Sequence, residues 1–535
     1  MKGWMCASMA LLLWACEASS SGTEQPALTR SELLDPTTCK DCHPKHYEQW
    51  SASMHAYATE DPVFVAMNKR GQEETNGELG TFCVNCHAPM AVRENAFAGL
   101  GTDKFGDVEA LPEQLKGVTC YFCHNATGVG EPHNNGNVTL ANDDVMRGAI
   151  SNALEPSVHK VAYSEFHDPT KLQSSLMCGT CHDIVTPRGL HLERTFEEYS
   201  QSIQSEPGAF FASCQDCHMG RNEDRQVIAT KTGRPGELTN NRTLHPHLWP
   251  AVDLPLTEWP HAEAMRSAIE QCEFKRTLSY RTLELLPGPL GQLRIALESE
   301  AGHNTPSGAA QDRRMWVELT GYDANNNELF ALGRIADQAV EEPEGERHPC
   351  MFREYMLDET GAETHDFWEG ASLDASRGQL LPFKKIGSSV MPGFHSKECL
   401  FQPPLSAAVE PAHHVEMHVR MRPMGMDVLN DLVSTGHLSP DIPPRMQTLS
   451  VERSTFLFRP ETQLYERIST GDGDCDAWAC MLDPQSSACA RTQRNSAQAD
   501  RSAGAAAAPS GASAPSMGTA GAVALPAPAA GAPAP

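Results

Sequence analysis

The pentapeptide Cys-x-x-Cys-His occurs five times in the first half of this chain, at Cys39–His43, Cys83–His87, Cys120–His124, Cys178–His182 and Cys214–His218. A two-residue gap lets two thiols reach opposite edges of one flat ring. The residue after the second thiol then lies beneath the centre of that ring. This is the attachment chemistry of a c-type haem. On this reading the thiols of Cys39 and Cys42, Cys83 and Cys86, Cys120 and Cys123, Cys178 and Cys181, and Cys214 and Cys217 add to vinyl groups. His43, His87, His124, His182 and His218 supply the proximal iron ligands. Zinc is the competing reading, but zinc sites combine two cysteine pairs into one tetrahedral cluster. Five pairs is an odd number, and zinc needs no His after every second Cys. A set of disulfides leaves the histidines unexplained too. Five covalently attached haems are therefore the expectation.

The remaining composition bounds the setting. A chain of 535 residues has room for two or three domains. Its 42 basic and 69 acidic side chains give a formal charge of −27. That balance argues against a nucleic-acid partner and favours basic ones. The start reads as an export signal over residues 1–16: Lys2 precedes the apolar run Met5–Trp14, which is too short to span a membrane. Leu13–Cys16 resembles a bacterial lipobox in which Cys16 would be lipidated; ordinary cleavage is the alternative, because Trp14 stands where a smaller residue is usual. The expected location is exported: periplasmic, or an outer-membrane-associated lipoprotein.

The pattern divides the rest. Residues 17–30 are a polar linker, and 31–275 a loop-rich, mainly helical module carrying the five motifs. Thr195–Ser205 and Trp259–Phe274 read as helices. After Pro287 the period becomes two: Leu293, Ile295 and Leu297 alternate with polar residues, as do Met315, Val317 and Leu319, and Val415, Met417, Val419 and Met421. Asp323–Asn327 is a turn between two such runs. The fold class is thus α+β, a cytochrome-like helical module followed by an antiparallel β-sandwich over 285–465. A Cys-containing coda over 466–490 and an Ala/Pro/Gly/Ser tail over 491–535, too poor in bulky apolar residues to fold, complete the chain. Cys272, Cys350, Cys399, Cys475, Cys480 and Cys489 fall outside the motifs; disulfides are expected, with Cys350–Cys399 one pairing and another within Cys475, Cys480 and Cys489.

Each iron has a second axial position, and what fills it decides function. Among 22 histidines the best candidates are His55, His159, His245 and His303, with His133, His167, His191 and His247 in reserve. Here the residues carry a resemblance. CKDCHPKHYEQWSASMHAYA, at residues 39–58, resembles the opening of multihaem cytochromes of the cytochrome c-554/c-prime type. GVTCYFCH, LMCGTCHD and SCQDCHM resemble their later motifs, and GHNTPSGAAQDRRMW an element opening an appended β-domain. The resemblance implies His55, His159, His245 and His303 as distal ligands. The chain departs from it at Asn304, where an apolar residue is usual, and at Ser307, where Thr is usual; His245 and His247 both remain open.

Electron transfer between redox partner proteins, basic or membrane-bound cytochromes among them, is the leading functional expectation. Five haems in so short a segment must lie edge to edge. The alternative is an oxidoreductase of the nitrite or hydroxylamine type with one open iron. No Cys-x-x-Cys-Lys is present, and no catalytic constellation stands out in the β-domain. Membrane attachment would run through a lipidated Cys16.

Overall fold

The computed structural model describes residues 27–470, apart from 101–104, 153–157, 221–224, 228–240, 244, 271–277, 287–291, 344–347, 375–377, 387–388, 391–396 and 404–410. The export signal with Cys16, the tail, Cys272, Cys475, Cys480 and Cys489 lie outside the described residues.

The N-terminal module is built of short helices, because each motif spends one helical turn on its own geometry. In three motifs the His amide closes an i→i−4 bond onto the first cysteine's carbonyl: His43 to Cys39 at 2.8 Å, His87 to Cys83 at 3.2 Å and His182 to Cys178 at 3.0 Å. One turn puts residues three and four apart on one face. Both thiols and the imidazole therefore point the same way. The last motif helix, Cys214–His218, starts on a capping box in which Ser213 and Asp216 satisfy each other's amides. The longest helix, Pro62–Glu74, is started by Asp61, whose carboxylate accepts from the Val63 amide. The expected helix at Thr195–Ser205 is an α-helix over Thr195–Ser200 followed by a 3-10 turn over Ile203–Ser205. Short two-stranded ribbons, such as Ala126–Val129 with Val138–Leu140, fill the gaps between motifs.

The C-terminal half is built around one antiparallel sheet. Its order is Glu328–Leu332, Arg314–Tyr322, His414–Arg422, Leu449–Arg459, Leu464–Thr470, Leu278–Leu285, Leu293–Ser299 and Lys397–Phe401, with Met351–Phe352 added beside Arg314–Tyr322. The alternation seen in sequence is the burial pattern: Val415, Met417, Val419 and Met421 are fully buried, while the residues between them are not. Residues from nearly every strand meet in one core, so the sheet curls over its own inner face as a sandwich does, though as a continuous sheet. Its first strand, Leu278–Leu285, begins ahead of residue 285. Cys350 and Cys399 form a disulfide that ties the Met351–Phe352 side to the Lys397–Phe401 edge.

The two halves share their packing. Val63, Ala66 and Met67 of the long helix sit in one cluster with Trp368, Val428, Leu429 and Leu432 of the C-terminal half. Ala52, Leu248, Val252 and Leu254 pack into the core of the sheet. Arg70 reaches Glu74 in its own helix and Asp366 and Asp431 across the interface, and the Trp368 indole donates to Glu74 at 3.0 Å.

Candidate haem-binding site

All ten motif cysteines and all five motif histidines line one connected cavity of about 1260 Å³. The thiols of Cys39 and Cys120, of Cys86 and Cys181, and of Cys178 and Cys214 are in hydrogen-bond contact. Attachment points of motifs one and three, two and four, and four and five are therefore side by side.

Facing imidazoles give the first test of fit to haem. Two imidazoles on opposite sides of one metal, each nitrogen about 2 Å away, hold their ring centres about 6 Å apart. Four motif histidines have such a counterpart. His43 faces His159 at 6.2 Å, His182 faces His55 at 6.3 Å, His124 faces His247 at 6.2 Å, and His218 faces His303 at 6.2 Å.

Ring tautomers give the second. A backbone carbonyl can only accept, so a ring nitrogen bonded to one carries the proton and leaves the other nitrogen with its lone pair. His87 donates from Nδ1 to Ala58, His124 to Arg147, His218 to Pro250, His159 to Lys160, His247 to His245 and His303 to Asn304. Nε2 is thus the nitrogen left with a lone pair in each. His133 and His167 do the reverse, using Nε2 on the carbonyls of Leu176 and Cys123. Burial, helped by neighbouring imidazoles, holds His55 and His247 down to about 3 and His182 down to about 4. Neutral imidazole is the form that binds a metal.

Each sequence candidate has a definite place. His55 follows the first motif in sequence but faces the imidazole of the fourth. His303, in the turn after the Leu293–Ser299 strand, faces the fifth. Of the neighbouring pair, His247 rather than His245 stands opposite a motif imidazole; His245 lines the cavity and bonds the Gly220 carbonyl at 3.0 Å. His191 is exposed, with Nδ1 against Arg194. His87 differs from the other four. Among the described residues no second imidazole faces it at this spacing, and Phe64 stacks on its face at 4.0 Å. His395 is outside the described residues.

Supporting residues were not legible in the sequence. Trp249 packs edge-on against both His55 and His247, at 4.7 and 5.2 Å, and orients two facing imidazoles at once. His46 lies between His43 and His247. Gly117, at φ +66°, runs directly over the His55 carbonyl, 2.6 Å from where a Cβ would stand; the next amide, Val118, donates to that carbonyl at 2.8 Å. No aromatic pattern or motif marks these positions.

Asn304 and Ser307, the two departures from the family element, have a common cause. Glu198 in the Thr195–Ser200 helix accepts from the Asn304 amide at 3.1 Å, its side chain at 2.9 Å and the Ser307 hydroxyl at 2.6 Å. Thr195 bonds Ser307 and the Gly308 amide. The turn bearing His303 is thereby locked to the helical module. A charged wall completes the cavity. Arg313 forms a two-pronged pair with Asp253 at 2.8 and 3.0 Å. Burial pushes Glu193 up to about 7, against the opposing pull of Arg313, and Asp61 up to about 6.

Residues 38–125 match the family model for cytochrome c554 and c-prime. No curated protein matches the chain. Among solved structures it is similar to a penta-heme cytochrome c552 from Thermochromatium tepidum, with 17% identity and a TM-score of 0.50, over 79% of this chain and 98% of that one. At that identity the likeness is one of fold.

Proposed function

We propose that this chain, a multihaem c-type cytochrome by family match and fold, carries electrons between redox proteins through five haems, in an exported setting. Bound haem supplies a one-electron iron couple at each motif. The protein's own residues do the rest. Paired cysteines would fix each ring, and carbonyl-bound Nδ1 atoms hold His87, His124, His218, His159, His247 and His303 in the ligating tautomer. The close cysteine pairs would hold the attachment points of neighbouring haems next to each other. On this reading His159, His55, His247 and His303 are the second ligands of the sites on His43, His182, His124 and His218. The acidic chain suits basic partners, and a lipidated Cys16 would hold the protein at a membrane surface. Among the described residues no helix is long and apolar enough to cross a membrane.

The four facing imidazole pairs are the observation that carries this reading, because an iron held on both sides exchanges electrons without room for substrate. Low-temperature spin-state spectroscopy of the oxidised protein tests it. Low-spin signals from at least four irons are expected; predominantly high-spin signals would sink the conduit reading.

A second reading, an oxidoreductase with one open iron, is favoured by His87 alone. One high-spin iron that binds carbon monoxide would support it, and five low-spin irons would end it.

A further inference from the structure

One motif comes to the surface. Of the ten motif cysteines only Cys217 is exposed; the other nine are partly buried. Its helix is embedded in two neighbouring segments. The Gln215 side chain donates to the Phe166 and Ser174 carbonyls, the Cys214 amide to the Ser175 hydroxyl, and the Ala212 amide to the Gln204 carbonyl. Residues 163–175 and 204–213 therefore frame the Cys214–His218 helix.

That frame has two unusual properties. It displays apolar side chains to water: Phe210 is 60% exposed, the highest value among the large hydrophobic residues exposed in the described structure, and Leu172 is 47% exposed. It is also acidic. Glu165, Asp168, Glu206 and Asp216 lie within 163–173 and 205–217, against the single amine of Lys171. An exposed aromatic in the frame of a haem-attachment motif, among more acidic than basic side chains, suits brief encounters. The charge steers approach, and the apolar spot excludes water at the point of contact.

We propose that the surface around Cys217, centred on Phe210 and rimmed by Glu165, Glu206 and Asp216, is where a small, lysine-rich electron-transfer protein docks to exchange electrons with the fifth haem. This rests on the electron-transfer reading and adds its place of contact. In each encounter one electron leaves a ferrous iron of this protein, which becomes ferric, and reduces a ferric iron of the partner to ferrous. No proton moves and no bond is made.

The probe is ferric mitochondrial cytochrome c, a compact basic protein, titrated against the full-length haem-loaded chain. Binding is followed by chemical-shift perturbation, and electron transfer by stopped flow. Glu165→Lys with Glu206→Lys should weaken binding and slow reduction about tenfold at low salt, with the difference closing near about 0.5 M salt. Phe210→Ser should weaken binding at every salt concentration. A control pair carrying the same charge change elsewhere, Glu109→Lys with Glu461→Lys, should change binding less than about twofold. Patch variants that bind like the parent, or a control pair that weakens binding as much as the patch pair, would overturn the docking surface. Reduction by dithionite and reoxidation by ferricyanide, which need no docking surface, test the underlying reading apart from it. A protein that passes that test yet ignores the patch variants loses only the docking proposal.

Discussion

His303 joins the two halves at the level of a single side chain. It belongs to the β-half, faces His218 of the helical half, and has its tautomer fixed by the Asn304 carbonyl. His303→Ala should turn one further iron high-spin, raise its potential and open it to carbon monoxide. An unchanged low-spin spectrum in that variant would remove the ligand role. His365 makes a different kind of prediction. Burial pulls its pKa down, but hydrogen bonds to Asp312 and Asp427 outweigh this and hold it up to about 9. A histidine raised above its unfolded value near 6.5 contributes stability that is complete below about pH 6.5 and gone above about pH 9. Urea unfolding should therefore show about 3 kcal/mol lost across that window, and His365→Ala should flatten the profile. An equal slope in parent and variant would contradict the charge assignment. His365, Asp427 and Glu363 cluster as a cation site would. Arg314 holds both oxygens of Asp427, and Arg353 holds Glu363, so the carboxylates already have their counter-charges.

Among the elements, what the sequence made legible depended on how local the cause is. The motif turns and the alternating strands are written in residues three, four or two apart: Cys214–His218 forms one helical turn, and the alternation at His414–Arg422 stands as read. Which imidazole faces which motif is long-range. His55 lies a dozen residues after His43 yet faces His182, because the chain must turn back for the two rings to meet. Nothing local distinguishes His245 from His247 either; the choice is made by the distant position of His124. Asn304 is a third case, a polar residue in an apolar place whose reason, Glu198, is about a hundred residues away. Asn304→Leu should cost about 1–3 kcal/mol, since it strips one hydrogen bond from the half-buried Glu198 carboxylate. Thermal unfolding of the haem-loaded protein checks this, and an unchanged transition would mean that Glu198 is satisfied by other groups.

For the molecule as a whole, the shared clusters and the Arg70 pairs make the β-half part of the wall of the cavity rather than an appendage. The parent should unfold in one transition. Arg70→Ala leaves Asp366 and Asp431 without their guanidinium, at a cost of about 3 kcal/mol, and should split or broaden that transition; a sharp single transition at the parent temperature would show that the interface does not depend on this pair. Five haems working as one conduit, as proposed, would fill and empty together. Coulometric titration of the full-length, haem-loaded protein against a mediator tests it most directly. Five electrons should be taken up per chain, one for each Cys-x-x-Cys-His, and all five returned to an external acceptor. Four or fewer electrons, or electrons that enter and cannot be withdrawn, would contradict it.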